Sequence, residues 1–333
     1  MKFLKWLGII LLVLIIVYFL GPQPTPLKLT TDLPAIPAGA AELEQYIRNN
    51  EAKHKLKPDN EARIVWFDSS GSQTEYAVVY LHGFSASQEE GDPVHYKFAQ
   101  QFGCNLFLSR LSDHGIDTTE PLLNFTAERL WKSALEAYAI GKQLGKKIIL
   151  MATSTGGTLA LKLATEYPDI AGLVLLSPNI AINDPNAWLL NNHWGLQMAK
   201  MIKGNYNRSE DTTARYAQYW NNKYRIEATV QLEELIETTM KESTFKKVTQ
   251  PVLVLYYYKD EDHQDPVVKV SAMKRMFRQL GTPDSLKRQV AIPNAGEHVL
   301  GSYIKSKDLQ SVEDQCGRFG REILKLKVVP GHQ

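Results

Sequence analysis

Short uninterrupted apolar runs, each closed by a turn of small or polar residues, constrain this chain more than any other feature. Tyr76-Ala-Val-Val-Tyr-Leu81 ends at His82-Gly83, and Lys147-Ile-Ile-Leu-Met-Ala152 ends at Thr153-Ser154. Ala171-Gly-Leu-Val-Leu-Leu176 and the run over residues 252–258 have the same form. A strand with one wet face alternates apolar and polar residues, whereas a run without alternation needs cover on both faces, as in a parallel sheet. Residues 63–67, 105–108 and 286–292 read as further strands. Helical patterns fall between the strands at 92–102, after Thr126, and at 155–167, 267–280 and 305–326, with a lead-in helix at 42–57. Thr126 can cap a helix whose apolar side is Leu130, Ala134, Leu135, Tyr138 and Ala139, with Gly141 and Gly145 near its end. The alternation predicts an α/β fold with a mostly parallel, doubly wound sheet, built from residues 42–177 and 248–333.

Residues 178–247 break the alternation. They hold no clear apolar strand, only amphipathic helical segments rich in Trp, Tyr, Asn and Met: Trp188, Trp194, Met198, Met201, Tyr206, Tyr216, Tyr219 and Trp220. Inserted between two strands, they read as a helical cap over the ends of the sheet. The aromatic and Met residues suit cap core first and an apolar pocket second.

The N-terminus is a separate element. Lys2 and Lys5 precede sixteen uncharged residues from Trp6 to Gly21, about 24 Å of helix at ~1.5 Å per residue. The lysines can snorkel, and Trp6 and Tyr18 suit the two interfaces. A cleaved signal needs small residues at −1 and −3, but Gly21 follows Phe19 by two positions and precedes Pro22. Residues 1–21 therefore read as an uncleaved single-pass anchor. The excess of lysine before the span predicts a cytoplasmic N-terminus and an extracytoplasmic remainder. Pro22, Pro24, Pro26, Pro34 and Pro37 make residues 22–41 a semi-rigid spacer that holds the folded part away from lipid.

Composition excludes several classes. Lys+Arg is 38 against Asp+Glu 36, a net charge of +2, with no run of like charges, so a nucleic-acid partner is not expected. Cys104 and Cys316 cannot frame a disulfide scaffold and lie in no CxxC pair, so no structural zinc is expected. Two buried thiols is the expected reading, although an oxidising compartment would permit them to pair.

The chemistry-bearing residues lie on loops that follow strands. Ser154 stands between strand 147–152 and helix 155–167, with Ala152 and Gly156 two positions to either side. A nucleophile on so sharp a turn needs small neighbours there. Helix 155–167 points its positive end at the seryl oxygen. In a parallel sheet the His82-Gly83-Phe84 loop lies beside that turn, where the Phe84 and Thr155 backbone N–H groups can bind an oxyanion. His298 follows strand 286–292, where a base is required. His114 in Ser112-Asp113-His114-Gly115 reads as loop-structuring, and His54, His95, His193, His263 and His332 have no comparable placement. The acid belongs after strand 252–258, where Asp260, Glu261, Asp262 and Asp265 all qualify. Asp265 precedes Pro266-Val267-Val268, apolar residues that pin the loop to the core, whereas Asp260 is closer to the strand end. Asp265 is preferred and Asp260 remains the alternative acid.

The order Ser154, Asp265, His298 is that of the α/β-hydrolases, and over roughly residues 62–326 the chain resembles that family. The matching parts are Leu81-His82-Gly83-Phe84, Ser109-Arg110-Leu111-Ser112-Asp113-His114-Gly115, Thr153-Ser154-Thr155-Gly156-Gly157, the Asp265 loop and Gly296-Glu297-His298. The nearest likeness is to the esterase and monoacylglycerol-lipase-like branch with a helical cap. Ala152 stands where the family's motif usually has glycine, and the loop 259–265 is long and acid-rich. The resemblance implies ester hydrolysis through an acyl-enzyme, with no metal or organic cofactor, on small-molecule or lipid-like esters. Amide, thioester, C–C or acyl-transfer chemistry on the same fold is the alternative, and a silent binding protein is a further one. A carboxylate-nucleophile dehalogenase is disfavoured by Ser154.

Overall fold

The computed structural model describes residues 2–331; Met1, His332 and Gln333 lie outside the described residues. The N-terminal half is α1 (Lys2–Phe19), α2 (Ala40–Glu51), β1 (Arg63–Val65), β2 (Thr74–Leu81), α3 (Val94–Gln101), β3 (Asn105–Leu108), α4 (Ala127–Leu144), β4 (Gly145–Thr153), α5 (Thr155–Glu166) and β5 (Ile170–Leu176). An insertion follows, with α6 (Gly195–Lys203), β6 (Tyr206–Arg208), α7 (Ala214–Tyr219), β7 (Lys223–Arg225), α8 (Glu227–Thr239) and α9 (Glu242–Phe245). The chain closes with β8 (Val252–Tyr256), α10 (Val270–Gln279), β9 (Lys287–Ala291) and α11 (Leu309–Glu322).

Seven strands form one sheet in the order β1-β3-β2-β4-β5-β8-β9, parallel except for β1, which runs antiparallel to β3 at the edge. The apolar runs are buried because both faces are covered. On one face Val79, Leu81, Leu150, Leu173, Leu175 and Val254 pack with Leu130, Trp131, Leu159 and Met273. On the other, Val78, Tyr80, Leu106, Met151, Val174 and Leu253 pack with Phe98, Val312 and Phe319. Successive residues of a strand feed opposite clusters, and each fully buried Leu or Val stabilises by about 1.5–3 kcal/mol. Cys104 and Cys316 are buried, free thiols in the second cluster. Burial raises both above the ordinary thiol value, Cys104 to about 12.

Helix starts follow local chemistry. The Thr126 side chain accepts from the Arg129 N–H at 3.2 Å at the head of α4, as expected from its sequence. Asp308 accepts from Ser311 N–H at 3.2 Å, so α11 begins there and not at 305. The predicted helix at 92–102 is shorter, because Gln88–Gly91 forms a 3-10 turn and α3 starts only after Pro93.

The insertion is largely helical as expected, with one addition: β6 and β7 pair as a short antiparallel ribbon on either side of α7, Tyr206 opposite Arg225. One expectation is corrected. The proline segment is not a spacer. Leu27, Leu29, Leu33 and Ile36 pack against the first core cluster. Trp131 Nε1 donates to Thr30 O at 2.6 Å, the Tyr167 hydroxyl donates to Thr31 O, and Leu27 N–H donates to Glu234 Oε1 at 2.9 Å. The prolines keep this strap extended, and the apolar residues among them give it a side that gains from burial. α1 itself buries none of its side chains, and its 18 residues are long and apolar enough to cross a membrane.

Registers align the carboxyl ends of the central strands: Leu81 with Ala152, Thr153 with Leu176, and Leu176 with Leu255. β2 has β3 on one side and β4 on the other, so the direction of winding reverses between β2 and β4. Ligand sites in open α/β sheets form outside the strand ends at such a reversal. The loops after β2 and β4 are His82-Gly83-Phe84 and Ser154.

Candidate active site

Ser154 occupies the turn between β4 and α5 at φ 52°, ψ −119°. A non-glycine residue there is strained, at a cost of order 1–3 kcal/mol, and persists only where its surroundings dictate it. They do. Ser154 N–H donates to Leu176 O at 3.0 Å, and Ser154 O accepts from Gly157 N–H at 2.8 Å and Asn179 N–H at 2.9 Å. A Cβ on Gly156 would fall 2.0 Å from Leu81 O, so α5 reaches β2 only because residue 156 has no side chain. Ala152, two residues before the serine, buries its methyl in the first core cluster without displacing the turn.

His298 lies on the loop after β9 and is buried. Its Nδ1–H donates to Asp265 Oδ2 at 2.7 Å. The other oxygen, Asp265 Oδ1, accepts from Val267 N–H at 2.9 Å and Val268 N–H at 3.0 Å. The Pro-Val-Val sequence after Asp265 thus holds the carboxylate as well as the loop. Burial works against ionising Asp265, but the charge and hydrogen bond of His298 and the two backbone N–H groups outweigh it and hold the carboxyl below its ordinary value. Burial likewise opposes a charge on His298, yet Asp265, with Glu90 and Glu297 adding, raises the imidazole above its ordinary value. Asp260 is exposed and accepts from His263 Nδ1 at 2.7 Å. The structure brings Asp265, not Asp260, to His298.

The Phe84 and Thr155 backbone N–H groups donate to no acceptor among the described residues. Ser154, Thr155, Phe84 and His298 all line one cavity of about 880 Å³. Its lining is mixed: Ile182, Leu189, Leu190, Met198, Ile202 and Val267 are apolar, and Asp184, Asn186, Lys203, Asn207, Asp211 and Lys305 are polar or charged. Of the aromatic and Met residues expected over the sheet, Met198, Tyr216 and Trp220 line this cavity, and Tyr219 is buried. Trp188 and Met201 point outward.

The supporting histidines are neutral scaffolding. His82 Nδ1–H donates to Gly83 O at 2.8 Å while its Nε2 accepts from Leu111 N–H at 3.0 Å. His114 Nδ1–H donates to Ser112 O at 2.8 Å and its Nε2 accepts from Ser85 N–H at 3.0 Å. Burial depresses both, His114 to about 4.

One residue at the site escaped the sequence reading. Glu90 is 3% exposed, lines the cavity, and accepts from Gly83 N–H at 2.5 Å through Oε2. Burial pushes its carboxyl up to about 7 against the pull of the Gly83 N–H, His298 and Trp220. Only the packing of neighbouring loops encloses it: a Cβ on Gly301 would fall 3.2 Å from Glu90 O.

Comparison with known proteins bears on the family and the fold. Residues 132–298, half of the chain and the stretch holding Ser154, Asp265 and His298, match the family Hydrolase_4 (serine aminopeptidase, S33). A thermostable monoacylglycerol lipase from Bacillus sp. (strain H-257) is 32% identical over 123 residues, 35% of this chain and about half (47%) of that protein. Among solved structures, one from the metagenome-derived lipolytic enzymes LipS and LipT superposes with TM-score 0.65 at 17% identity, covering 80% of this chain and 99% of that one. A Paleococcus ferrophilus monoacylglycerol lipase gives 0.56 at 14% identity over 78% and 98% of the two chains. Est1E from Butyrivibrio proteoclasticus with bound ferulic acid gives 0.54 at 18% over 80% and 95%. At such identities the structural likeness establishes the α/β-hydrolase fold.

Proposed function

Because the chain belongs to the Hydrolase_4 (serine aminopeptidase, S33) family of α/β-hydrolases, we propose that it is a membrane-anchored serine hydrolase that cleaves carboxylic esters, of lipid-like or monoacylglycerol type, through Ser154, His298 and Asp265. The observation that carries this reading is the 2.7 Å His298–Asp265 pair opening into the same cavity as a strained serine and two unengaged backbone N–H groups.

The chemistry follows from those positions. Ser154 Oγ attacks the ester carbonyl carbon while His298 takes the hydroxyl proton through Nε2. Asp265 keeps the Nδ1–H tautomer in place and stabilises the imidazolium. The negative charge that develops on the carbonyl oxygen meets the Phe84 and Thr155 N–H groups, at the positive end of α5, each donor worth about 2.7–4 kcal/mol when preorganised. The tetrahedral species collapses, the C–O bond to the alcohol breaks, and His298 returns its proton to the leaving oxygen. Water then attacks the acyl-Ser154 ester, giving its proton to His298, and a second collapse frees the acid and restores the serine. The apolar lining residues suit an acyl chain and the polar ones a hydroxyl-bearing alcohol.

α1 is the anchor in this reading, with Lys2 and Lys5 in the cytoplasm and the catalytic body on the extracytoplasmic side. Residues 42–177 and 248–331 form the hydrolase core and 178–247 the cap. The test is a series of p-nitrophenyl esters of increasing chain length beside the matching anilides and thioesters, with and without an alcohol acceptor. Ester turnover that depends on Ser154 and outpaces the other classes supports the reading. Faster anilide, thioester or transfer chemistry replaces it with another reaction on this fold.

A further inference from the structure

The strap decides which part of the body meets the lipid. α1 ends at Phe19, and the chain is then tied without slack. His193 Nδ1–H donates to Gly21 O at 2.6 Å, Trp194 N–H donates to Pro22 O at 2.8 Å, and Trp194 Nε1 donates to Val17 O at 3.0 Å. Tyr18 and Phe19 pack edge-on to His193 at 5.2 and 5.6 Å between ring centres. A Cβ on Gly21 would fall 2.1 Å from Trp194 Nε1, so this clasp needs glycine. Further along, Leu27, Thr30 and Thr31 are bonded to Glu234, Trp131 and Tyr167. A helix that crosses a bilayer and ends in this clasp carries His193 and Trp194 to the membrane surface.

Trp194 is also the residue that opens α6. From it to Ile202 is about 12 Å of helix, so the far end of α6 lies within that distance of the clasp. The segment is apolar where it faces out. Trp188 is 54% exposed, Met201 85% and Ile202 81%. Outside α1 and the adjoining Leu20, the described residues expose only three other large apolar side chains, Leu123, Val267 and Tyr303. Ile202 and Val267 line the catalytic cavity as well, so the cavity reaches the surface at these two apolar residues. Lys203, which follows Ile202, is exposed and makes no ion pair among the described residues. Exposed apolar side chains beside a lysine, adjoining an apolar span, have the chemistry of a monotopic membrane contact.

We infer that Trp188, Met201 and Ile202 rest in the bilayer that α1 spans, and that single-chain amphiphiles enter the cavity directly from that leaflet, past Ile202 and Val267. The inference rests on the reading of α1 as an anchor and deepens it: the substrate is resident in the membrane, and the anchor orients the cavity mouth towards it. Trp188 and Met201 lie outside the cavity and act only through the lipid contact.

The test uses full-length protein in phosphatidylcholine vesicles containing phosphatidylglycerol. Turnover of monooleoylglycerol dissolved in the vesicles is compared with turnover of p-nitrophenyl acetate in the water, for the parent and for Trp188→Ser/Met201→Ser. Vesicle-substrate turnover falls about tenfold while water-soluble turnover stays within about twofold. A Met201→Cys protein carrying a bimane is quenched by nitroxide-labelled lipid. Equal losses on both substrates, or no loss on either, overturn the entry route. An unquenched bimane, or cross-linking of two chains through Cys introduced at 201, overturns the lipid contact in favour of solvent or a second copy. An alkaline carbonate wash separates the two readings. Release of the parent removes the anchor and this inference with it, whereas a retained parent with flat comparisons removes this inference alone.

Discussion

Replacing Asp265 by Asn isolates the charge at the centre of the site. The carboxylate accepts three hydrogen bonds: two from Val267 and Val268 N–H at Oδ1, and one from His298 Nδ1–H at Oδ2. An amide has one acceptor oxygen, so it satisfies either the backbone pair or the imidazole and turns an N–H donor towards the other. A buried charge-assisted hydrogen bond contributes about 1.5–3 kcal/mol, and an unpaired buried donor costs about 1–3 kcal/mol. Together these amount to roughly 3–6 kcal/mol of transition-state stabilisation, or about 10²–10⁴ in kcat/KM. The assay is kcat/KM for a short p-nitrophenyl ester across pH, with Asp260→Asn as control. The parent loses activity as pH falls through the raised titration of His298, and without the carboxylate that acid limb moves to lower pH. Asp260→Asn leaves rate and profile within about twofold, because its exposed pair with His263 is worth little. An Asp265→Asn protein with more than about a tenth of parent kcat/KM, or an equal loss in Asp260→Asn, refutes the assignment of the acid.

Glu90→Gln removes a second negative charge facing His298 and also shifts the acid limb to lower pH, while Gln keeps an acceptor for Gly83 N–H. Because the Glu90 carboxyl titrates higher in the folded chain, its stabilising effect is complete below its unfolded value and is lost as pH rises through about 7. The variant therefore gains Tm relative to the parent at pH 8 and not at pH 5, read by calorimetry. Gly156→Ala puts a Cβ 2.0 Å from Leu81 O and abolishes folded expression or activity, as measured by yield and turnover. Buried His114 titrates near 4 and His95 near 3, so both stay neutral where the unfolded chain charges. Stability falls as pH drops from the ordinary histidine value towards 4, by roughly 3 kcal/mol for His114 alone. His114→Asn flattens that acid slope in urea titrations.

Much of the architecture is readable from sequence because its signals are local. An apolar run without alternation marks a central strand, and Ser154 and Asp265 each follow one, whereas His298 follows the polar edge strand β9. Even the choice of acid has a local cause, since Val267 and Val268 supply the N–H groups that grip Asp265. Other features depend on tertiary contact and leave no local pattern. Glu90 sits in a polar 3-10 turn, and its burial comes from loops far along the chain. β6 and β7 are three residues each, too short for a period-2 signal, and pair across an intervening helix. The strap was masked by its prolines, which mark extended backbone equally well in a spacer and in a packed segment. The distinguishing sign was Leu27, Leu29, Leu33 and Ile36 among them, which a solvated spacer has no use for.

The most direct measurement of the central claim is peptide mapping of the full-length protein after treatment with a fluorophosphonate. One phosphonyl group per chain is expected, on the Ser154 oxygen, formed far more slowly in His298→Ala and absent in Ser154→Ala. A modified residue elsewhere, or labelling at parental speed without the imidazole, contradicts the account.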